Sequence, residues 1–195
     1  MIDLKKDPFT NFECLLQEAI AQQVPEANAM SLATVDEKGA PSVRVVYMKS
    51  VSPEGFVFYG NYSSHKGRDI EAHPQVCLNF YWPVLWQQVR VTGVAEKITA
   101  TESDAYFKTR PRLSQIGAWA SHQSEEIPDL DWLARRVQEY EKQFDGQEVP
   151  RPPYWGGWRV VPQEIEFWFG LNGRLHQRYI YQWNGSSWTQ FLRSP

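Results

Sequence analysis

The sequence predicts a mainly β fold: an antiparallel barrel with helices packed outside it. Three observations lead there. About eight strand-like segments are joined by hairpins or short helices. No regular βαβ alternation is present, which argues against a parallel sheet. An antiparallel sheet of that size has exposed edges unless it closes, so a barrel is the natural solution. The 195 residues suit one domain, 1–195, and 42% apolar content is enough for its core. Nine tryptophans and 14% aromatics suit a β-rich core, a dimer interface or a flat ligand.

In chain order, residues 1–8 are polar and are expected to be a flexible arm. Thr10 can cap a helix through Ala21, with Phe12, Leu15, Leu16 and Ile20 at helical spacing. Residues 29–35 and 42–51 read as a hairpin about the turn Glu37-Lys38-Gly39. Pro53-Glu54-Gly55 turns into a third strand, 56–59. Ser63 and Ser64 open a short helix that ends near His73-Pro74. Segments 76–82 and 87–98 make another strand pair. Thr99 or Thr101 caps a helix running to Arg110, where Pro111 stops it. Residues 130–144 form an amphipathic helix with its charges outward, and 147–153 are a proline-rich connection. Strands at 158–169, 174–183 and 187–192 close the chain, with Asn172-Gly173 and Asn184-Gly185 as hairpin turns.

Composition removes several functions. A formal charge of −3, with no long Lys/Arg run, gives no electrostatic case for nucleic acid. Cys14 and Cys77 stand alone, which fits a reducing cytoplasm. The start lacks the apolar core of a signal peptide, and no run is long enough to span a membrane. The four histidines lack metal-ligand spacing, so no metal is expected. Nucleophile-elbow, P-loop and dinucleotide-binding glycine motifs are absent.

The most informative run is YFKTRPRLSQIGAWASHQS, residues 106–124. Tyr106 and Arg110 are four apart, so one helix turn places them on one face. Ser114 can cap the turn or helix that follows Pro111. A phenol, a guanidinium and a hydroxyl can then converge beside free N–H groups, as a phosphate monoester requires. The plain alternative is a helix–proline–helix corner with solvated arginines. Arg44 and Lys49 lie in the apolar stretch RVVYMK, where a charge is costly unless an anion meets it. Their odd separation sends them to opposite faces of a regular strand. Either a bulge re-aims one, or they serve different groups. Lys66 lies just inside a helix whose amino end offers N–H donors. Gln88 carries an amide able to donate and accept. Arg174 and His176, at i and i+2 of the expected strand, share a face.

These stretches together resemble the pyridoxine/pyridoxamine 5'-phosphate oxidases, an FMN-dependent family. The resemblance rests on 106–124 and on RVVYMK (44–49), FYGNYSSHK (58–66), QQVRVTG (87–93), PYWGGWRV (153–160), IEFW (165–168) and RLHQR (174–178), in the family's order. It implies the split-barrel, FMN-binding type of fold. It also implies oxidation of pyridoxine and pyridoxamine 5'-phosphates to pyridoxal 5'-phosphate, with O2 as acceptor. Arg44 and Lys66 would hold the FMN phosphate, with His65 beside them. Val45, Lys49, Tyr59 and Gly60 would line the cofactor, and Gln88, Gln123, Ser124, Trp168 and Arg178 would contact it. Lys49, Tyr106, Arg110 and Ser114 would take the substrate phosphate. Arg174 and His176 would be the catalytic pair over the substrate ring. The family's site draws on both subunits, which implies a homodimer with FMN at the interface. Three departures stand out: His65 where the family usually has arginine, Gln177 where it usually has aspartate, and FLRSP at the end instead of Arg-Leu-x-Pro. The last displaces Arg193 by one position, which on a strand reverses its face. Two other readings remain open: a related flavin oxidase acting on another aromatic such as a phenazine precursor, and a non-catalytic FMN- or pyridoxal-phosphate-binding module.

Overall fold

The computed structural model describes residues 2–195. Helix α1 (Pro8–Ala21) starts with Asp7 as its cap, not Thr10: Asp7 Oδ1 accepts from the N–H groups of Phe9 and Thr10, both at 3.0 Å. A proline in the first turn sits where no N–H partner is needed, and the helix starts three residues earlier than expected. Residues 2–7, expected to be loose, are tied down. Asn11 Nδ2 donates to the Asp3 carbonyl and the Tyr181 hydroxyl donates to that of Lys6. The same expectation for Met1 lies outside the described residues.

Nine strands follow among the described residues, all paired antiparallel. They are β1 (Ala29–Val35), β2 (Pro41–Tyr47), β3 (Ser50–Ser52), β4 (Gly55–Asn61), β5 (Gln75–Trp82), β6 (Gln87–Lys97), β7 (Trp155–Phe169), β8 (Gln177–Trp183) and β9 (Trp188–Leu192). The path runs β2-β1-β5-β6-β7-β4-β3, with β8 and β9 continuing from the outer half of β7. The end strands β2 and β3 do not pair with each other, so the curled sheet is a split barrel. The mainly β, antiparallel expectation holds.

The inward faces of β1, β4, β5, β6 and β7 pack on α1. Phe12 makes edge contacts with Phe56 and Phe80, at 5.0 and 4.9 Å between ring centroids. A second, smaller core joins Phe107, Ile116, Phe144, Val149 and Trp155, where α3 (Ala100–Thr109), α4 (Arg112–Ala120) and α5 (Leu130–Gln143) stack beside β7. Thr99 caps α3 in a reciprocal box with Glu102. Among the described residues no helix is long and apolar enough to cross a membrane.

Two expected strands are placed differently. The 42–51 segment is broken at Met48-Lys49, because Lys49 N–H turns away to bond the Val57 carbonyl (2.8 Å) and starts a separate edge strand. The 174–183 segment begins only at Gln177. Arg174 lies in a 3-10 turn, Asn172–Arg174, with φ +61°, so the loop between β7 and β8 is longer than a two-residue hairpin.

Candidate functional site

Helix α2 (His65–Ala72) opens the site. Ser64 caps it, and the Lys66 side chain turns back over that cap. Lys66 Nζ donates to Ser64 Oγ (3.0 Å) and to Gln123 Oε1 (2.7 Å). Only 8% of Lys66 is exposed. Burial, and then the nearby charge of Arg44, push its ammonium down from 10.5 to about 8. Gly60 is what lets it lie there: a Cβ at that position would stand 3.0 Å from Lys66 Cε and 3.1 Å from Nζ.

Arg44 reaches the same corner from β2. Its Nη1 donates to Thr34 Oγ1 (2.6 Å) and the Leu32 carbonyl (3.2 Å), and its Nη2 lies 3.6 Å from Asp69 Oδ2. Asp69 is 3% exposed and also accepts from the Thr34 hydroxyl. From the segment after α4, Ser124 turns its hydroxyl onto the His65 backbone N–H (3.1 Å). Arg44, His65, Lys66, Gln123 and Ser124 thus border one bay of about 400 Å³.

The bay opens into a larger cleft of about 750 Å³ that shares Arg44, Lys66 and Gln123. Lys49, Tyr59, Gly60, Tyr106, Arg110 and Ser114 line its far side, and Val45 its rim. Tyr106 is stacked on Tyr59 at 3.8 Å between ring centroids. Arg110 ends α3 and lies over Trp155, 4.5 Å from the ring centroid. Its Nη1 is buried without a hydrogen-bond partner, and burial lowers its guanidinium's pKa. Ser114 caps nothing: Pro111 holds the cap position, and Ser114 is the third residue of α4. The break after Tyr47 answers the odd spacing of Arg44 and Lys49. Leaving the strand lets both face one cleft. Four Lys/Arg residues line the cleft and no Asp or Glu does. Such a surface suits two anionic groups joined to flat rings.

The remaining candidates lie elsewhere on the chain. Gln88, Trp168 and Arg178 form one cross-strand row over β6, β7 and β8. Their neighbours in register, Val89 and Phe167, point into the core, so the row is on the outer face. Arg178 is bound to Glu166 through Nε (2.9 Å) and Nη2 (2.8 Å). Arg193 bonds Glu164 and Glu166 from the same side. Arg174 and His176 occupy the β7–β8 loop rather than a strand, so strand alternation does not relate them. The His176 ring rests on Trp168 (4.6 Å), and its Nδ1 accepts from the Leu171 N–H (3.1 Å). None of these five borders the cleft within one chain.

Sequence reading missed Asp69, Thr34 and Trp155. Asp69 had one faint signal, its place four residues after His65. Trp155 stood in the motif PYWGGWRV, with nothing to tell a platform for Arg110 from ordinary core.

The chain matches the family model described as pyridoxamine 5'-phosphate oxidase over residues 16–144. It matches the pyridoxine 5'-phosphate oxidase C-terminal dimerisation region over 155–195. It is 74% identical to a pyridoxine/pyridoxamine 5'-phosphate oxidase of Bdellovibrio bacteriovorus, over 100% of both chains. Identity to the protein of that name from Cupriavidus taiwanensis is 50%, over 99% of this chain and 91% of the other. Among solved structures, PhzG from Burkholderia lata, in complex with tetrahydrophenazine-1-carboxylic acid, superposes with a TM-score of 0.93 at 31% identity, covering 99% of this chain and 95% of that one. A pyridoxamine 5'-phosphate oxidase-related, FMN binding protein from Nostoc punctiforme shares the fold, at a TM-score of 0.77 and 16% identity over 97% and 99% of the two chains.

Proposed function

The chain belongs to the pyridoxine/pyridoxamine 5'-phosphate oxidase family of oxidoreductases, and from that premise we propose that it oxidises pyridoxine 5'-phosphate and pyridoxamine 5'-phosphate to pyridoxal 5'-phosphate with FMN as cofactor. The observation that carries this reading is the acid-free cleft, where the buried Arg110 Nη1 has no partner and the buried Lys66 meets only neutral oxygens. Buried cations are costly unless an anion completes them. Two phosphates, one at each end, meet that requirement.

The residues present fit FMN. Arg44 and Lys66 would hold its phosphate with the Ser124 hydroxyl alongside, and the bare backbone of Gly60 leaves room for the Lys66 side chain to reach it. Bound FMN supplies a two-electron acceptor that O2 reoxidises, with H2O2 as product and NH3 released from the amine substrate. At the other end, Arg110 presents its guanidinium fork to the substrate phosphate, held flat by Trp155. Lys49 adds a second charge, and Tyr106 and Ser114 add hydroxyls. Because Tyr106 is stacked on Tyr59, its hydroxyl is fixed before substrate arrives, which lowers the cost of orientation.

The reading includes a homodimer. Residues 155–195 match a dimerisation region, and the outer row Gln88–Trp168–Arg178 needs a second chain to meet a flavin. Strand β2 turns Val43 (69% exposed), Val45 (65%) and Tyr47 (44%) outward, an apolar stripe suited to burial against another copy. His176, in the same assembly, acts on the substrate ring. Its Nδ1 is occupied by the Leu171 N–H, so the neutral ring carries its proton on Nε2 and offers a donor.

The test is an absorbance spectrum followed by anaerobic addition of pyridoxine 5'-phosphate. Flavin bands that bleach on addition support the reading, and bands that stay unchanged reject it. The likeness to PhzG favours a second reading, a flavin oxidase of a reduced phenazine-type aromatic. Bleaching by such a compound and by unphosphorylated pyridoxine, at rates equal to the phosphate ester, would support that one. A yellow protein that no substrate bleaches would be a binding module.

A further inference from the structure

His65 stands at the mouth of the bay, where α2 meets the segment after α4. Its ring Nε2 lies 3.4 Å from Asp69 Oδ1, one helical turn on. The other oxygen of Asp69 accepts from Thr34 (2.6 Å) and faces Arg44 (3.6 Å). One buried carboxylate therefore braces two side chains that border the bay, one from β2 and one from its own helix. The charge count is short by one. With a neutral imidazole, Arg44 and Lys66 against Asp69 leave a single net positive charge. A phosphate monoester carries about −1.5 to −2 near neutral pH. An imidazolium at position 65 would balance it.

We propose that His65, at the mouth of the bay, takes up a proton as the flavin phosphate binds, and that Asp69 is the residue that positions it for this. With Nε2–H directed at Asp69, Nδ1 is the free ring nitrogen. It is a lone pair in the neutral ring and a donor once protonated, so only the charged form adds a bond to an anion. The groups that face His65 set the balance. The acidic groups near the ring are Asp69 on α2 and Asp36 on the β1–β2 turn. The cationic groups that share the bay with it are Arg44 on β2 and Lys66 on α2. From the segment after α4, Ser124 and Gln123, both neutral, border the bay, and the next residue, Glu125, pairs with His122. Binding then couples to a proton by linkage: cofactor affinity falls as pH rises through the range where histidine loses its charge.

The proposal rests on the FMN reading, and its test separates the two. Flavin-free protein is titrated with FMN by calorimetry at about pH 7.2, in buffers of different ionisation heat, so that the proton count per flavin is read directly. This pH lies below the titration of Lys66, near 8. Wild type is expected to take up most of one proton. His65→Arg carries its charge already, so it should bind FMN with little uptake. Its affinity should stay flat from about pH 6.5 to 7.5, where wild type weakens several-fold. Asp69→Asn should reduce the uptake while FMN still binds. Riboflavin, lacking the phosphate, should bind without uptake. Equal uptake by wild type and His65→Arg, or none by wild type, would overturn the role given to His65 and leave the cofactor assignment standing. Failure of both proteins to bind FMN or riboflavin would overturn the assignment and the proposal together.

Discussion

Lys66 Nζ donates to Gln123 Oε1 across 2.7 Å, fastening the amino end of α2 to the segment that leaves α4. The bond joins two stretches 57 residues apart and sets the shape of the bay. It also leaves an ammonium buried between neutral oxygens, a state that an anionic ligand relieves.

Replacing Lys66 should therefore separate stability from binding. Its pKa is lowered from 10.5 to about 8, so between those values the unfolded chain binds more protons than the folded one. Stability of the flavin-free protein should rise with pH across that interval, and the buried charge should cost up to about 3 kcal/mol at pH 7. Lys66→Met is expected to be more stable than wild type at pH 7 without flavin, with the difference shrinking by pH 10. It should bind FMN at least tenfold more weakly. Denaturant unfolding at the two pH values and a fluorescence titration measure both effects.

Much of the corner proposed to bind phosphate could be read without coordinates, because the information was local. Tyr106, Arg110 and Ser114 lie within nine residues, and Pro111 fixes the corner between their helices. What escaped depended on distant partners. The turn that re-aims Lys49 is made by the Val57 carbonyl, a strand away. Asp69 gains its role from Thr34 and Arg44, on β1 and β2. Asn172-Gly173 looks like a two-residue hairpin turn, but the chain puts Arg174 in the left-handed region, φ +61°, and delays the strand to Gln177. Strand alternation was the wrong rule for Arg174 and His176 because no strand is there.

Among the residues proposed to bind substrate, Arg110 is the clearest to test. Loss of a charged hydrogen-bonding partner is worth about 1.5–3 kcal/mol, or roughly ten- to 150-fold in KM. Arg110→Ala should raise KM for pyridoxine 5'-phosphate by that factor and leave unphosphorylated pyridoxine unaffected. Arg110→Lys should recover only part, since it lacks the fork. Steady-state kinetics on the two substrates decide it; an unchanged KM for the phosphate ester would remove Arg110 from the site.

Glu166 organises the face that carries Arg178. It is 1% exposed and meets Arg90 (2.7 Å), Arg178 (2.8 Å) and Arg193 (3.3 Å). Burial alone would raise its pKa, but the Arg178 hydrogen bonds and the charges of Arg90, Arg178 and Arg193 outweigh burial and hold the carboxyl below 4.5. A depressed carboxyl contributes stability above its unfolded value and loses it as pH falls through the folded one. Glu166→Gln should cost about 3 kcal/mol at pH 7. The gap to wild type should narrow below about pH 4.5, where wild type itself weakens. Urea midpoints at pH 7 and pH 4 report it, and a gap that widens in acid would contradict the sign.

The role proposed for His176 can be tested for the kind of proton chemistry it involves. The Leu171 N–H occupies Nδ1, and the ring sits on Trp168, so Nε2 is both fixed in direction and protonated in the neutral form. A group in that state gives a hydrogen bond and cannot accept a proton at the same nitrogen. His176→Gln offers an amide donor at similar reach, whereas His176→Phe keeps a ring on Trp168 and offers nothing. Phe should lower kcat by roughly ten- to 150-fold, the worth of one charged or strongly polarised hydrogen bond, and Gln should restore most of it. Rapid-reaction measurement of flavin bleaching isolates the chemical step from product release. If Gln proves as slow as Phe, the ring must act by accepting a proton, and the Leu171 bond must break before it does.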